Sequence, residues 1–461
     1  MAAINDWPWQ HWQRRSPNTV AIFLADKTLT WAELAREIDH KSAEFSAQGV
    51  RAGEAVALIG DVRGNNGFDL LLAYFALLQL AACCLPLNPQ LAAGTLPVLL
   101  TRLGISRVMD LTHEVIRPEV VAQKATLSRQ HAAVWSSARA ATLTLTSGSN
   151  GLPKAAVHTL AAHIASAEGV VELMSFTHQH RWLLSLPLFH VSGQAIVWRW
   201  LAVGAGLVLS DGRPLAQALQ FSTHASLVPT QLWRLLESSV STAGLCDVLL
   251  GGADIPQALV QRAERAGIRC WCGYGMTETA STVTAKRADD LPGVGNPLKG
   301  REVRVVNQEI QLRAASMALG YWQQGRLQPL DETDGWLHTR DSGEWQNGEL
   351  NINGRLDNLF FSGGEGIQPE EVERILLEHP QLNAVFIIPV DDPQYGERPV
   401  AVIEGEGSPT LAELMEWARD KLASFQRPIA LFRLPENLQN GGIKVSRREV
   451  MHWGRAKYAD R

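Results

Sequence analysis

The sequence predicts a layered α/β fold for a large N-terminal domain, followed by a small α+β C-terminal domain. The chain has 461 residues, which is more than one domain usually holds. Across residues 20–320, short β-branched or aliphatic runs alternate with helical stretches, as where VALIG at 56–60 precedes FDLLLAYFALL. Such alternation is typical of parallel strands covered by helices.

The end of the large domain is predicted at residue 354, where the composition of the sequence changes. The turn-rich, charged segment NGRLDN precedes a helix predicted from Pro369 through Glu378, strands at AVFIIPV and PVAVIEG, and a helix at TLAELMEWARDKLASF. These elements suffice for a compact α+β domain. We therefore assign residues 1–354 to the N-terminal domain and residues 355–461 to the C-terminal domain.

Composition and charge argue against several classes of protein. The chain is 46% hydrophobic and 19% charged, with a formal net charge of −5 and no long run of one sign, so we expect no nucleic-acid partner. The five cysteines lack the spacing of a zinc site, and their odd number argues against a disulfide framework. A reduced cytoplasm is the expected location. The sequence does not decide between a monomer and a homo-oligomer.

No apolar segment predicts secretion or membrane insertion. The start, MAAINDWPWQHWQRR, mixes tryptophans with polar residues and lacks the apolar core of a signal peptide. The most apolar stretch, residues 68–87, contains Asp69, Gln79 and Pro86, and its uninterrupted run is shorter than a bilayer crossing needs. We predict a buried helix leading into a loop there.

A loop rich in hydroxyls and glycines carries the first chemical signal. A predicted strand, ATLTLT at 141–146, leads into SGSNGLPK, and helical periodicity resumes in HTLAAHIASAEGVVELM. Glycines let backbone amides approach a polyphosphate, hydroxyls donate further hydrogen bonds, and Lys154 supplies a balancing charge. The alternative is an ordinary surface turn, because Ser, Gly, Asn and Pro are common turn residues.

The run TSGSNGLPK resembles the phosphate-loop signature of the adenylate-forming superfamily, which includes acyl-CoA synthetases, luciferases and peptide-synthetase adenylation domains. The resemblance implies a ligase that uses ATP, Mg²⁺ and CoA, and it favours the α/β fold. Asn150 replaces a common threonine and keeps a polar side chain. The residues that the resemblance assigns to the nucleotide here are Thr146, Ser147, Gly148, Ser149, Asn150, Gly151 and Lys154.

A second motif, GYGMTET at 273–279, resembles the tyrosine-glycine-x-threonine-glutamate motif of the superfamily. Tyr274 offers a flat face for adenine, Thr277 a catalytic hydroxyl for the α-phosphate or carboxylate, and Glu278 an oxygen ligand for Mg²⁺. A solvated glutamate at a strand end is the alternative for Glu278. The adenine-side loop is matched by Gly251, Gly252 and Ala253, and VGNP at 294–297 matches a further structural motif.

The resemblance places ribose contacts and a hinge near the domain boundary. Asp341 and Arg355 inherit the ribose roles, and Asp357 falls at the hinge about which the C-terminal domain moves. A turn-capping aspartate is the alternative for Asp357. Arg340 stands where glycine is usual, so we expect its backbone to avoid a glycine-specific angle and its side chain to point outward. Asn358 replaces a frequent acidic residue.

Two C-terminal segments complete the motif order. The segment with Gly363, Gly364, Glu365 and Gly366 resembles the loop that enters the site for the thioester step. GGIKVSR at 441–447 resembles the terminal motif, which makes Lys444 the catalytic lysine of adenylation, although a residue other than glycine precedes it. An exposed lysine in a basic tail is the alternative.

The acid-binding residues are predicted in LPLFHVSGQ and the following WRW. His190, also a catalytic candidate, and Ser192 lie at the start of a helix, and Arg199 lies nine residues after His190, where it can face the same cavity. A guanidinium suits a second carboxylate. The alternatives are a surface arginine and a core histidine.

These segments resemble the 2-succinylbenzoate:CoA ligases of menaquinone biosynthesis, whose acid is an aromatic dicarboxylate. A ligase for another aryl or short-chain acid is the alternative within this class. The departures at Arg340, Asn358 and Ile443 leave open a nucleotide-binding sensor without turnover. A carrier-linked adenylation domain is a third hypothesis, disfavoured because no carrier domain follows Arg461 in the sequence.

Overall fold

The fold was analysed in a computed structural model that describes most of the chain. The described residues are 4–91, 95–112, 134–146, 154–251, 255–289, 291, 293–404, 409–439 and 445–460. Their contacts divide the chain into two compact units. One unit comprises Met1–Glu302 and Leu312–Leu337, and the other comprises Val303–Gln311 and His338–Arg461. The predicted boundary at residue 354 stays a prediction, since contacts alone do not locate a hinge.

Strands and helices alternate through the first three hundred residues. The strands there are β1 Val20–Phe23, β2 Thr28–Thr30, β3 Ala55–Ile59, β4 Cys83–Leu87, β5 Arg107–Asp110, β6 Ala140–Thr146, β7 Lys154–Thr159, β8 Arg181–Leu183, β9 Gly206–Val208, β10 His224–Leu227, β11 Asp247–Leu250, β12 Arg269–Met276, β13 Ser281–Arg287 and β14 Asn296–Pro297. The helices are α1 Pro8–Arg15, α2 Trp31–Ala47, α3 Gly67–Gln79, α4 Thr95–Leu103, α5 Leu160–Leu173, α6 Val191–Val203, α7 Leu215–Leu219, α8 Pro229–Glu237 and α9 Gln257–Arg265.

The remaining chain is richer in strands. These are β15 Arg301–Val306, β16 Glu309–Ala314, β17 Gly320–Gln323, β18 Arg326–Gln328, β19 Glu332–Thr333, β20 Trp336–Gln346, β21 Glu349–Arg355, β22 Phe360–Ser362, β23 Glu365–Ile367, β24 Ala384–Asp392, β25 Gly396–Glu404 and β26 Leu431–Arg433. The helices are α10 Pro369–Leu377, α11 Leu411–Trp417, α12 Glu436–Gln439 and α13 Arg447–Ala459.

Two large sheets dominate the first unit, which confirms the predicted α/β class. One has the order β14-β13-β12-β11-β10-β8-β9-β1-β2, and its strands from β12 to β1 are parallel. The other has the order β18-β17-β7-β6-β4-β3-β5, with parallel pairing from β6 to β5. Strands β4, β10 and β11 are buried along their whole length, as expected for parallel strands covered on both faces by helices.

The phosphate loop joins two strands, which corrects the prediction that it leads directly into a helix. The periodicity places His158 and Thr159 in the helix, but residues 154–159 form β7, which pairs antiparallel with β6. Helix α5 begins only at Leu160. Ala155, Ala156 and Val157 are buried between β6 and β17, so the pairing on both sides outweighs the helical periodicity. The register places Thr146 opposite Lys154 at the two ends of the loop.

Two other element boundaries differ from the predictions. The apolar stretch 68–87 ends in strand β4 rather than in a loop, and Pro86 lies inside that strand, opposite Leu58 of β3. The helix predicted over TLAELMEWARDKLASF ends at Trp417. No described helix is both long and apolar enough to cross a bilayer.

A five-stranded sheet forms the core of the C-terminal segment. Its order is β23-β22-β25-β24, with β26 parallel to β25, and α10 and α13 pack against β24. Helix α10 begins with Pro369 at its first turn and Glu370 and Glu371 beside it, a sequence suited to a helix N-terminus. A further five-stranded sheet has the order β15-β16-β20-β19, with β21 beside β20.

Candidate active site

The GYGMTET motif forms the hairpin between β12 and β13. Met276 pairs with Ser281, and a single 3₁₀ turn, Thr277–Thr279, forms the tip. Glu278 is only 5% exposed, while Thr277 is half-buried. The hairpin therefore presents the threonine hydroxyl and holds the glutamate carboxylate inside the protein.

Tyr321 links this carboxylate to the lysine of the phosphate loop. Its hydroxyl donates to Glu278 Oε1 at 2.7 Å, and Lys154 Nζ lies 4.7 Å from the centre of its ring. Lys154 is exposed, so its ammonium group contacts the Tyr321 ring on one side and solvent on the other. The structure thus brings together the predicted phosphate cation and the predicted magnesium ligand through a residue that no motif indicated.

The remaining nucleotide residues are only partly described. Thr146 is half-buried at the end of β6, and Gly251 follows β11, which is parallel to the strand that carries Tyr274. Because the carboxyl ends of adjacent parallel strands share one edge of the sheet, Gly251 and Tyr274 lie on the same side. The other predicted members lie outside the described residues: Ser147, Gly148, Ser149, Asn150, Gly151, Gly252 and Ala253.

Arg199 is buried in the middle of α6. The residue is 2% exposed, and its Nη1 and Nη2 donate to Ser226 Oγ and Thr282 Oγ1, each at 3.3 Å. The guanidinium lies 5.2 Å from the Trp182 ring centre. Among the residues that the structure describes, no acidic side chain pairs with it, and its Nε has no hydrogen-bond acceptor. The surface-residue alternative for Arg199 is therefore wrong.

His190 and Ser192 lie at the N-terminal end of the same helix. His190 is the residue before α6, is exposed, and packs its ring against Phe189 at 4.9 Å. The surrounding protein removes part of the hydration of the imidazole, and this desolvation lowers its pKa. The nearby Arg63 charge lowers the pKa further. Ser192 is half-buried. The helix is continuous as expected, and the nine residues from His190 to Arg199 correspond to about 13 Å along its axis.

Asp341 and Arg355 are partners across a pair of strands. They lie opposite each other on β20 and β21, and Arg355 Nη1 donates to Asp341 Oδ1 at 2.9 Å and to the Thr339 carbonyl at 2.9 Å. Arg355 Nη2 also donates to the exposed Asp357 at 3.1 Å. The structure therefore brings the two predicted ribose residues and the predicted hinge residue into one cluster.

Arg340 contradicts the backbone expectation. Its φ is 61°, in the left-handed region that favours glycine, while its side chain points outward as expected. Its N–H donates to Glu309 Oε1 at 3.2 Å, and the flanking Thr339 hydroxyl donates to the Ile310 carbonyl at 2.6 Å. These bonds hold the backbone of Arg340 in a conformation that an arginine adopts only at a cost.

The substitution Arg340→Gly is expected to stabilise the protein slightly. A left-handed residue with a Cβ costs about 1–2 kcal/mol, and glycine removes this strain. The greater freedom of glycine in the unfolded chain offsets about 0.5–1 kcal/mol of the resulting stabilisation. Urea unfolding measures the difference. Arg340→Ala is the matched control because it removes the same side chain and keeps the strain, and equal stabilities of the two variants would contradict this account.

The glycine-rich loop and the terminal lysine lie in the C-terminal segment. Gly363 and Gly364, with φ of 60° and 90°, form the tight turn between β22 and β23, and Glu365 and Gly366 are exposed beside it. Two consecutive positive φ angles suit glycine in a two-residue hairpin. Lys444 lies outside the described residues.

A cavity of about 390 Å³ lies in the first unit. Its lining includes Asp61, Arg63, Ser185, Ser210 and Arg213. None of the predicted site residues lines it, although the Ser185 hydroxyl donates to the carbonyl of Ser226, a partner of Arg199.

Comparison with known families decides the class of the protein. Residues 9–322 match the family described as AMP-binding enzyme, and residues 371–440 match the AMP-binding enzyme C-terminal domain. The chain belongs to the AMP-binding enzyme family. This confirms the resemblance to adenylate-forming enzymes that its motifs predicted.

Close relatives of this AMP-binding enzyme share one substrate in their names. The 2-succinylbenzoate–CoA ligase of Salmonella typhimurium is 52% identical over 453 residues, 98% of either chain. A solved structure of a variant of E. coli MenE with bound OSB-AMS is 50% identical, has a TM-score of 0.88, and matches 98% of this chain and 99% of its own. The Bacillus subtilis o-succinylbenzoate CoA synthetase in complex with ATP and magnesium ion is 25% identical with a TM-score of 0.81, over 93% and 96% of the two chains.

Three residues of this AMP-binding enzyme escaped the motif analysis. Tyr321, Ser226 and Thr282 each bond to a predicted site residue, yet they lie 27 to 83 residues away from it in the sequence. Only Thr282 carried a signal, because it follows the GYGMTET motif on the next strand.

Proposed function

We propose that the protein joins 2-succinylbenzoate to CoA at the expense of ATP, releasing AMP and pyrophosphate through an acyl-adenylate. The relatives named for this reaction match the chain from end to end. The role in menaquinone biosynthesis that the sequence resemblance implies is part of the proposal. A cytoplasmic location remains a prediction.

The environment of Arg199 is the observation that carries the choice of acid. A buried guanidinium with no described carboxylate partner is costly unless an anion completes its bonding. Two hydroxyls, those of Ser226 and Thr282, flank it and can donate to the same anion. An acid with a second carboxylate supplies the missing partner, and a bidentate contact is the geometry that guanidinium favours.

The first step joins the acid to the nucleotide. A carboxylate oxygen attacks the α-phosphorus of ATP, the bond from that phosphorus to the bridging oxygen breaks, and pyrophosphate leaves. We assign Lys154 and Lys444 to the negative charge around the phosphates, and Thr277 to the α-phosphate or the attacking carboxylate. No protein nucleophile is required.

The donor set on the β12–β13 hairpin suits magnesium. Glu278 is a buried carboxylate positioned by the Tyr321 hydroxyl, and one protein carboxylate together with phosphate oxygens is the ligand set that Mg²⁺ commonly uses. When bound, the ion offsets phosphate charge. Glu278 is thus its proposed protein ligand, while Asp341 and Arg355 keep their proposed ribose roles.

The second step forms the thioester. The CoA sulfur attacks the acyl carbon, the bond from that carbon to the AMP oxygen breaks, AMP leaves, and the thiol proton passes to solvent. We assign the Gly363–Gly366 hairpin to this step and Asp357 to the hinge that exchanges the two conformations.

The direct test is release of AMP by the purified protein with ATP and CoA. We expect 2-succinylbenzoate to give a far higher kcat/KM than benzoate, succinate or a medium-chain fatty acid. If another acid is preferred, the protein is a CoA ligase of different specificity. If no acid yields AMP while ATP still binds, the alternative of a nucleotide sensor replaces the proposal.

A further inference from the structure

The turn that follows the GYGMTET motif has an unusual backbone. Ala280 and Ser281 have φ angles of 53° and 105°, and neither is glycine. Ala280 is fully buried. Residues other than glycine rarely adopt such φ angles, and these angles persist only where the surrounding structure fixes the backbone.

A chain of hydrogen bonds from outside the hairpin fixes this turn. The Ser166 hydroxyl, on α5, donates to the Ala280 carbonyl at 2.5 Å across 114 residues of sequence. Arg301 in turn donates from Nη2 to the Ser166 carbonyl at 2.8 Å and from Nη1 to the Lys299 carbonyl at 2.7 Å. Ser166 and Arg301 are 1% and 6% exposed, so water competes little for these bonds.

Helix α5 leaves a gap in which the Arg301 guanidinium lies. A Cβ at Gly169 would stand 2.4 Å from Arg301 Nη1 and 3.0 Å from the Leu298 side chain. Only glycine therefore allows the guanidinium to reach the Ser166 carbonyl in this position.

The turn joins the two halves of the candidate site. On its N-terminal side are Thr277 and Glu278, which we assign to the nucleotide and its metal ion. On its C-terminal side Thr282 accepts from Arg199 Nη2 at 3.3 Å. The backbone path between the two halves is therefore Thr279–Ser281, and any change in its angles moves one half relative to the other.

We propose that Ser166 and Arg301 are positioning residues that fix the turn at Ala280 and Ser281 and thereby set the spacing between the nucleotide residues and the Arg199 anchor. This inference rests on the proposed function, because it requires an acid held at Arg199 to be activated beside Thr277. In this proposal neither residue contacts substrate. Their effect is on alignment, and small misplacements of reacting groups slow a reaction strongly.

The test is Ser166→Ala, which removes the hydroxyl that holds the Ala280 carbonyl. We expect kcat of adenylate formation, measured by pyrophosphate exchange, to fall by about tenfold to a hundredfold. The Kd of ATP without acid should change by less than about threefold, because Lys154, Glu278 and Tyr321 are untouched. Ser222→Ala is the matched control, since Ser222 is equally buried and its hydroxyl donates to the Ala218 carbonyl within its own segment.

A second variant, Gly169→Ala, keeps the Ser166 hydroxyl and displaces Arg301. The same kinetic signature is expected, so the proposal stays testable if Ser166→Ala fails to fold. Variants that lower only the melting temperature, with kcat within about twofold of the native enzyme, would overturn the inference and leave the proposed function standing. Absence of adenylate formation by the native enzyme with every acid would overturn both.

Discussion

Replacing Arg199 with alanine is expected to lower kcat/KM for 2-succinylbenzoate by about thirtyfold to several thousandfold. Truncating one partner of a desolvated, hydrogen-bonded charge pair costs about 2–5 kcal/mol, and each 1.4 kcal/mol corresponds to about a factor of ten. Much of this loss comes from the carboxylate that is left buried without a partner. AMP release with ATP and CoA measures it, and unchanged ATP binding shows that the variant is folded.

Substrate analogues separate the charge contact from general damage. Two monocarboxylates are matched to the diacid, 4-oxo-4-phenylbutanoate and 2-butyrylbenzoate, each lacking one of its carboxylates. The analogue that retains the reacting carboxylate should lose little kcat/KM in Arg199→Ala, because it lacks the group that Arg199 holds. Arg199→Lys keeps the charge but cannot make the bidentate contact of a guanidinium, so its kcat/KM for the diacid should lie between those of the native and alanine forms. An equal loss for diacid and monoacid would contradict the anchor.

The free enzyme is expected to gain stability when this charge is removed. Arg199→Met keeps much of the side-chain volume in a site walled by Trp182 and removes a buried cation that has no described anionic partner. The melting temperature should therefore rise while activity with the diacid falls, as is common where a binding site stores an unfavourable charge.

Breaking the Glu373–Arg447 pair is expected to destabilise the C-terminal segment by about 3–5 kcal/mol. Glu373 is 8% exposed on α10, it accepts from the Ile387 N–H at 2.6 Å, and it pairs with Arg447 at the start of α13. Burial raises the pKa of Glu373, and the Arg447 charge opposes that rise. In Glu373→Ala the Arg447 guanidinium stays behind without its main partner. Thermal or urea unfolding of the full chain measures the loss.

Adenylate formation should fall in the same variant, because Lys444 lies three residues before Arg447 and loses that anchor. The matched control is Glu397→Ala, which removes the half-buried partner of the exposed Arg455 that lies at 3.2 Å in the same segment. Pairs that reach solvent, as this one does, contribute about 0–1 kcal/mol, so the stability of this variant should be nearly native. Similar losses in the two variants would show that burial of the Glu373 pair has no special effect.

The motif residues themselves were predictable because each motif lies within one short, contiguous segment of the sequence. The hydroxyls before Lys154 and the GYGMTET segment carry chemical signals of their own, whereas the roles of Asp341 and Arg355 follow from the resemblance to the family, to which the order of the motifs points. Hydrophobic runs and turn residues likewise predicted the parallel sheets and the helices that cover them, since burial on both faces demands apolar strands.

Tertiary packing decided what local patterns left open. Residues 158 and 159 fit a helix by periodicity, but pairing with β6 makes them a strand. Arg340 adopts a left-handed angle because hydrogen bonds from its neighbours impose it.

The sequence by itself determined the family and the class of chemistry, and it predicted the residues that we assign to the reaction. Only the tertiary structure decided which side chains position them: Tyr321 beside Glu278, Ser226 and Thr282 beside Arg199, and Ser166 beside the Ala280 turn. These contacts join residues 27 to 114 positions apart. No local propensity specifies such pairs, because they arise when separate elements pack and each buried polar group must find a partner.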